Sequence, residues 1–329
     1  MRSCTISIVP LLASLFLSAC SGGSSSPTPS EASTSSGSTG GTSSAEYVCP
    51  PAQTSSGTLN CAALPLGDRK FSTTGPSVGV VYSCTQLSGK PVVESAPWID
   101  AQTNTWSLPA KLAVRGLVSW SGSISVTESG STRTITGNGL PISPYRTGTF
   151  PISKNDPAYK YDQNPNSIES QNFSFQLPLN PTAASSTSCL PQGPIGITTS
   201  GVAIYDAFDA AGYDGAAREL QDDCLGHPDP SDTYHIHGSI ELCTGDTGSV
   251  AQNSELIGYA FDGYGIYGPW YNGKVLTTKD LDQCHGVTSP IEWNGQTVNI
   301  YHYVATYDFP YSLSCYTGTP IHVGPATKA

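Results

Sequence analysis

Eight cysteines between positions 49 and 315 constrain this chain more than any other feature, because in an oxidising compartment they would tie distant segments together. They are an even set without a C-x-x-C pair, which favours disulfides over a cysteine-ligated metal. We therefore expect four disulfides. The eight residues are Cys49, Cys61, Cys84, Cys189, Cys224, Cys243, Cys284 and Cys315.

The N-terminal segment indicates export. Residues 1–19 have the character of a signal peptide, with a mostly apolar run too short to span a bilayer. The run ends in Leu17-Ser18-Ala19-Cys20, which resembles the lipobox of bacterial lipoproteins and implies a lipid on Cys20; ordinary secretion with cleavage after a small residue is the alternative. By the same resemblance, Ser21 in place of an aspartate after the cysteine implies the outer membrane of a cell with two membranes, with the domain in the periplasm or at the cell surface.

The next segment predicts a flexible tether. Residues 20–46 are almost wholly Ser, Gly, Thr and Pro, which cannot bury enough apolar surface to offset chain entropy. The folded domain is then expected over residues 47–329.

Charge restricts the partners. The chain has 25 acidic and 14 basic residues and a formal charge of −11. Binding to nucleic acid needs clustered Lys and Arg, so this class of partner is excluded, whereas an acidic protein suits cations.

Strand signals predict a mainly β fold, a single large disulfide-stapled domain with short helices. Ser123–Thr136 (SISVTESGSTRTIT) is typical of a hairpin, and Leu112–Trp120 is rich in strand-forming residues. Gly215–Asp223 and Thr278–Gln283 favour short helices.

The C-terminal third contains a diverged internal repeat, with copies at about 201–243 and 263–315. Both copies have the order G-x-x-I-Y, D-x-C, Y-H and Cys. Equivalent units should pair their cysteines equivalently, which predicts disulfides Cys224–Cys243 and Cys284–Cys315.

Histidines supply the main candidate site. All six lie in the last third: His227, His235, His237, His285, His302 and His322. On a strand, His235 and His237 would project from one face as adjacent imidazoles. Neutral imidazole binds divalent transition metals, with Zn or Cu the expected ion. His227, His302 or His285 would be the third ligand, and affinity should fall below about pH 6 as imidazole protonates.

Carboxylates and tyrosines near the histidines could orient their rings. These residues are Asp222, Asp223, Asp282, Tyr234 and Tyr301. The alternative interpretation is a set of core histidines satisfied by backbone carbonyls. His322 is treated as a bystander near the terminus.

An aromatic stretch at 258–270 is the second candidate. It could line a groove that binds a glycan or another small molecule, or it could form a tight hairpin whose rings fill the core. The residues concerned are Tyr259, Asp262, Tyr264, Tyr267 and Trp270.

The chain resembles the YHYH-domain family of exported bacterial proteins over roughly Val93–Gly318. The resemblance is carried by Asn138-Gly139-Leu140-Pro141, Thr149-Phe150-Pro151, Gly193-Pro194-Ile195-Gly196, Tyr205–Gly212 (YDAFDAAG), Cys224–Pro228 (CLGHP), Tyr234–Gly238 (YHIHG), Leu256–Gly263 (LIGYAFDG) and Asp308–Tyr311 (DFPY). It implies one exported domain without a settled activity.

The sequence departs from the family pattern in its second half. The first Y-H-Y-H reads Tyr-His-Ile-His, which keeps both histidines, but the second reads Tyr301-His302-Tyr303-Val304 and loses the last. A single site on the first copy is therefore expected.

Three functions follow as alternatives. The first is an exported metal-binding protein that could be a metal-dependent enzyme, and the second is a non-catalytic module that binds glycan or protein through the aromatic stretch. The third is a purely structural domain anchored to the membrane by lipid.

Overall fold

A computed structural model describes Tyr47 and residues 49–238, 243–322 and 327–328. The signal segment 1–19, the lipid-bearing Cys20 and the linker 20–46 lie outside the described residues. Within them the chain is mainly β, as predicted, and one continuous hydrophobic core runs from Tyr47 to Tyr316. Among the described residues, no helix is long and apolar enough to cross a membrane.

The strands of the N-terminal half are short. The first seven have two residues each, and four longer ones follow. They are β1 Gln53–Thr54, β2 Gly57–Thr58, β3 Leu64–Pro65, β4 Phe71–Ser72, β5 Val81–Tyr82, β6 Ile99–Asp100, β7 Thr105–Trp106, β8 Ile124–Ser129, β9 Thr132–Gly137, β10 Gln171–Pro178 and β11 Ala183–Ser188.

The C-terminal half provides most of the large sheet. Its strands are β12 Pro194–Thr198, β13 Ala203–Tyr205, β14 Gly226–Pro228, β15 Tyr234–Ile236, β16 Leu256–Ala260, β17 Gly265–Tyr267, β18 Trp270–Tyr271, β19 Lys274–Val275, β20 Gly286–Trp293, β21 Gln296–Val304, β22 Tyr316–Gly318 and β23 Thr327–Lys328. The helical elements are α1 Gly215–Arg218 and 3₁₀ turns at Cys61–Ala63, Pro157–Lys160 and Thr278–Asp280.

The predicted hairpin is confirmed. Strands β8 and β9 pair antiparallel from Ile124↔Gly137 to Ser129↔Thr132, and Gly130 at the turn has a φ of 61°. This left-handed conformation suits glycine because it carries no Cβ. The hairpin belongs to a four-stranded sheet in the order β23-β10-β9-β8.

The predicted strand at Leu112–Trp120 is wrong. The backbone of this segment bonds to two separate parts of the chain instead of to one partner strand. The Val114 N–H donates to the Gln221 carbonyl, and Val118 exchanges two hydrogen bonds with Thr147 as an isolated bridge. Gly116, with a φ of 142°, lies between these two anchors. This segment, although rich in β-branched residues, is therefore irregular and does not form a sheet strand.

Helix α1 is shorter than the predicted Gly215–Asp223. Asp214 caps its start by accepting a hydrogen bond from the Ala217 N–H at 3.1 Å, and the extended Glu219 (φ −117°, ψ 150°) ends it. Residues 220–223 instead enter a turn in which Asp222 accepts hydrogen bonds from Cys224 and Gly226.

Four disulfides staple the domain: Cys49–Cys61, Cys84–Cys189, Cys224–Cys243 and Cys284–Cys315. The last two are the pairs predicted from the repeat. Disulfides are characteristic of oxidising compartments, so this set agrees with an exported protein.

An eight-stranded sheet carries the histidines, in the order β14-β15-β13-β12-β16-β17-β21-β20. Strands β12 and β16 pair antiparallel at its centre, and the pairing senses outward are the same on both sides: antiparallel, parallel, antiparallel. This symmetry concerns the strand order and the pairing senses alone. The internal repeat of the sequence stays a prediction.

Candidate metal centre

Three histidines meet at one end of the large sheet. Each of His227, His235 and His237 offers a ring nitrogen, and these atoms all lie within 4.8 Å of one another. All three side chains are buried, with exposed fractions of 5%, 2% and 4%. The residues present therefore form a group that could hold one metal ion.

Strand register brings the three rings together. Strand β14 pairs antiparallel with β15 so that His227 stands directly opposite His235. Side chains two residues apart in extended chain share a face, so His237, just past the end of β15, projects beside His235. The predicted common face of His235 and His237 is thus confirmed, and the cross-strand neighbour supplies the third ring.

Backbone carbonyls fix the tautomers of two rings. The Nδ1 of His235 lies 3.0 Å from the Thr233 carbonyl oxygen, and the Nδ1 of His237 lies 2.6 Å from that of Asp206. A carbonyl oxygen only accepts, so each contact is a hydrogen bond when Nδ1 carries the proton, and we assign that tautomer to both rings. In a neutral imidazole the Nε2 then has a lone pair and no hydrogen.

Those two Nε2 atoms face each other at 3.0 Å. With both protons on Nδ1, neither Nε2 can donate, so two lone pairs point at one another across a hydrogen-bonding distance. Burial favours this neutral state, because it lowers the pKa of His235 to about 4 and that of His237 to about 3. A cation bonded to both nitrogens, to one side of the line that joins them, would turn this repulsion into coordination.

His227 is the least satisfied of the three. Neither of its ring nitrogens has a hydrogen-bond partner among the described residues, although both are buried. Burial holds its pKa well below the usual value, and the neighbouring histidines lower it further. Buried polar groups without partners are rare and costly, so a core role alone does not account for this ring.

Glu219 is the site residue that the sequence interpretation missed. Its Oε2 lies 3.5 Å from the Nε2 of His227 and 3.3 Å from the Nε2 of His237. The same oxygen is buried and lacks a hydrogen-bond partner within the described part of the chain. Burial raises the pKa of this carboxyl well above its usual value, and Asp209 and Asp162 raise it further while Lys111 opposes them.

Tyr205 forms one wall of the centre. Its ring stacks on the His235 imidazole, with centroids 3.8 Å apart and an interplanar angle of 19°, and meets His237 edge-on. Its hydroxyl donates to Asp229 Oδ2 at 2.8 Å. The tyrosine therefore holds the His235 ring in place without occupying a ring nitrogen.

The other candidate histidines lie elsewhere. The Nε2 of His285 is 3.0 Å from the hydroxyl of Thr306, and the Nδ1 of His302 is 3.1 Å from the Ile300 carbonyl oxygen. Neither belongs to the group of three, so His227 is the third ring that the fold brings in. His322 is exposed near the end of the described chain.

The carboxylates and tyrosines expected to orient the rings bond to one another instead. Tyr234 donates its hydroxyl to Asp222 at 2.8 Å, and Tyr301 donates to Asp282 at 3.2 Å. Asp222 also accepts from the backbone of Gly148, which ties β14 to a distant loop. Their contacts are thus structural, while main-chain carbonyls orient the imidazoles. Within the described part of the chain, Asp223 makes no hydrogen bond to any of these rings.

The aromatic stretch is part of the core. All five of its candidate ligand-binding residues are buried: Tyr259, Asp262, Tyr264, Tyr267 and Trp270. Asp262 accepts from Tyr303 at 2.6 Å and from Gly318 at 2.9 Å. These positions favour the hairpin-and-core interpretation over a sugar-binding groove.

One family matches the chain. Residues 174–278 match the family described as YHYH protein, a shorter range than the resemblance suggested. No curated protein and no solved structure matches. The matched range contains His227, His235, His237 and Glu219, whereas His285 and His302 lie beyond it. The suspected resemblance to this family is therefore confirmed for the segment that holds the three-histidine centre.

Proposed function

We propose that this protein is an exported metal-binding protein whose centre, formed by His227, His235 and His237, holds one divalent transition metal ion. The observation that carries the proposal is the 3.0 Å separation between the Nε2 atoms of His235 and His237, two rings assigned their protons on Nδ1. Two opposed lone pairs would be unfavourable if the histidines served only to fill the core. Three neutral imidazoles that face one another are suitable ligands for a metal ion.

Zn or Cu is the proposed ion. Imidazole nitrogen suits both metals, and the chain's one methionine, Met1, lies in the proposed signal, so no thioether ligand is offered. The disulfide-bonded cysteines also leave no thiolate at the centre. The acidic side chains around Glu219 add a negative potential that favours a cation.

Metal retention at acid pH tests this proposal. Because burial lowers the pKa values of His235 and His237 to about 4 and 3, their neutral, coordinating forms persist well below the pKa of about 6.5 for free imidazole. The proposed threshold therefore lies below the pH of about 6 that unperturbed histidines would give. We expect the metal-free protein to take up one Zn²⁺ per chain at pH 7 and to keep it at pH 5.

Equilibrium dialysis followed by elemental analysis at pH 7, 6, 5 and 4 measures this retention. The same protein unfolded in urea is the control, and it should hold no Zn²⁺ at any of these pH values, because only the folded sheet brings the three rings together. Loss of metal from the folded protein already near pH 6, as expected for unperturbed imidazoles, would contradict burial of the ligands.

We also propose that a lipid on Cys20 anchors the protein to the outer membrane, with the domain in the periplasm or at the cell surface. The lipobox-like LSAC sequence and the following Ser/Gly/Thr segment support the anchor. Cys20→Ala should release the protein from the membrane fraction or retain it as precursor. Undiminished tight membrane association of that variant, measured by fractionation, would refute the anchor.

A further inference from the structure

We infer that Glu219 is the fourth ligand of the metal, so that three imidazoles and one carboxylate close a tetrahedral site. This inference rests on the proposed function. It also specifies the type of metal site. A closed site retains an ion, whereas catalysis at a metal needs a coordination position open to water or substrate.

Three of the ligand-to-ligand distances are close to those of a tetrahedral site. Bonds of about 2.0–2.1 Å from Zn to nitrogen or oxygen place the ligand atoms of a regular tetrahedron about 3.3–3.4 Å apart. The separations here are 3.0 Å from His235 Nε2 to His237 Nε2, 3.3 Å from His237 Nε2 to Glu219 Oε2, and 3.5 Å from Glu219 Oε2 to His227 Nε2. These three of the six separations are close to that value, whereas the three histidine nitrogens as a set lie within 4.8 Å of one another, so the ligands would close in on a bound ion.

One oxygen of the Glu219 carboxyl lacks a hydrogen-bond partner among the described residues. Its Oε2 is buried, and the side chain is 12% exposed without a hydrogen bond to that oxygen. Its charged neighbours are the acidic Asp209, Asp162 and Asp206, and Lys111 is the one cation that opposes them. The Lys111 ammonium donates to the Ala216 carbonyl and to Gln221, so it does not pair with Glu219. A buried carboxylate here is costly unless a cation meets it, and burial accordingly raises the pKa of Glu219 in the metal-free protein.

The local backbone aims Glu219 at the histidines. Helix α1 ends at Arg218, and the extended conformation of Glu219 turns its side chain out of the helical path. Gly215, one turn earlier, makes room for it. A Cβ on Gly215 would lie 3.0 Å from His237 Cγ and 3.2 Å from Glu219 Oε2, both tighter than ordinary contacts. The absence of a side chain at this position lets ring and carboxylate approach each other.

Azide binding to the Co²⁺-loaded protein tests the closed site, since azide adds to a metal only where a coordination position is open. The proteins compared are the wild type, Glu219→Ala and Glu219→Gln. Asp209→Asn is the matched control, because Asp209 is a buried carboxyl with an unpartnered oxygen that interacts with Glu219 electrostatically. Zn²⁺ affinity is measured beside it by competition with a chelator.

We expect azide to leave the absorption spectrum of the Co²⁺-loaded wild type unchanged. The spectrum of Co²⁺-loaded Glu219→Ala should change when azide is added. Glu219→Ala and Glu219→Gln should each lower Zn²⁺ affinity by about 100-fold or more, because loss of an outer hydrogen-bond partner already costs about 10–100-fold. Asp209→Asn should change it by less than about 10-fold.

A wild-type spectrum that responds to azide, or glutamate variants with Zn²⁺ affinity within about 10-fold of wild type, would overturn the inference while leaving the three-histidine site intact. Failure of the wild type to bind either metal would instead overturn the proposed function and the inference together.

Discussion

Replacing His235 or His237 by alanine is expected to abolish the stabilisation that Zn²⁺ gives to the metal-free protein. A ligand present at about 1,000 times its Kd stabilises a folded protein by about 4 kcal/mol. Each of these imidazoles supplies one of the two opposed Nε2 atoms, 3.0 Å apart, so its loss removes a ligand from the centre itself. Thermal unfolding of the metal-free protein, with and without added Zn²⁺, measures the effect.

His302→Ala is the matched control for this experiment. His302 is also buried, and its Nδ1 also faces a carbonyl two residues earlier, yet it lies outside the group of three. It should lose intrinsic stability through the cavity but keep the Zn²⁺-induced gain, and the exposed His322→Ala should change neither quantity. Loss of the Zn²⁺ response in His302→Ala, or its survival in His235→Ala, would contradict the assignment of ligands.

Asp214→Ala should destabilise the metal-free protein by roughly 3–5 kcal/mol, because each buried donor left without an acceptor costs about 1–3 kcal/mol. Asp214 is fully buried and accepts from three donors: the Gly67 N–H at 2.8 Å, the Ala217 N–H at 3.1 Å and the Tyr311 hydroxyl at 2.7 Å. These bonds join the N-terminal region, α1 and the C-terminal region. The estimate is kept low because burial already raises the pKa of Asp214 to about 6, which offsets part of the gain.

Urea unfolding of the metal-free variants measures this cost. Asp214→Asn, which keeps one acceptor oxygen, should lose less than Asp214→Ala. Asp100→Ala is the control on the surface, where the carboxylate accepts from the Gln102 and Thr103 N–H groups but water can replace it. Equal losses in Asp214→Ala and Asp100→Ala would contradict the view that burial makes the Asp214 network costly to break.

The sequence predicted the parts of the centre that follow from local periodicity. Alternation along a strand placed His235 and His237 on one face, and the recurring order of motifs predicted the disulfides Cys224–Cys243 and Cys284–Cys315. The first inference needs only neighbouring residues in the sequence, and the second needs only a comparison of one part of the sequence with another. The pairs Cys49–Cys61 and Cys84–Cys189 have no counterpart in the repeat and could not be assigned in this way.

The third ring needed the sheet register. The sequence left His227, His302 and His285 as alternatives, and only the pairing of β14 with β15 sets His227 opposite His235. The acceptors for the ring N–H groups were also beyond prediction. They are main-chain carbonyls of Thr233 and Asp206, which carry no signal in the residue type.

Glu219 was missed for a related reason. In the sequence it belongs to GAAREL, where a glutamate is an ordinary helix former, and nothing there indicates that the helix ends one residue before it. The same early end corrects the predicted helix. Gly215 carried the usable signal, since a glycine leaves room for the close approach of other groups.

Elemental analysis of the untagged mature domain, purified under oxidising conditions without added metal or chelator, tests the central claim most directly. The account predicts close to one equivalent of Zn or Cu per chain in the wild type and none in the His235→Ala, His237→Ala double variant. A wild type without transition metal, which also fails to take up Zn²⁺ or Cu²⁺ when it is supplied, would contradict it. The three histidines would then be core residues.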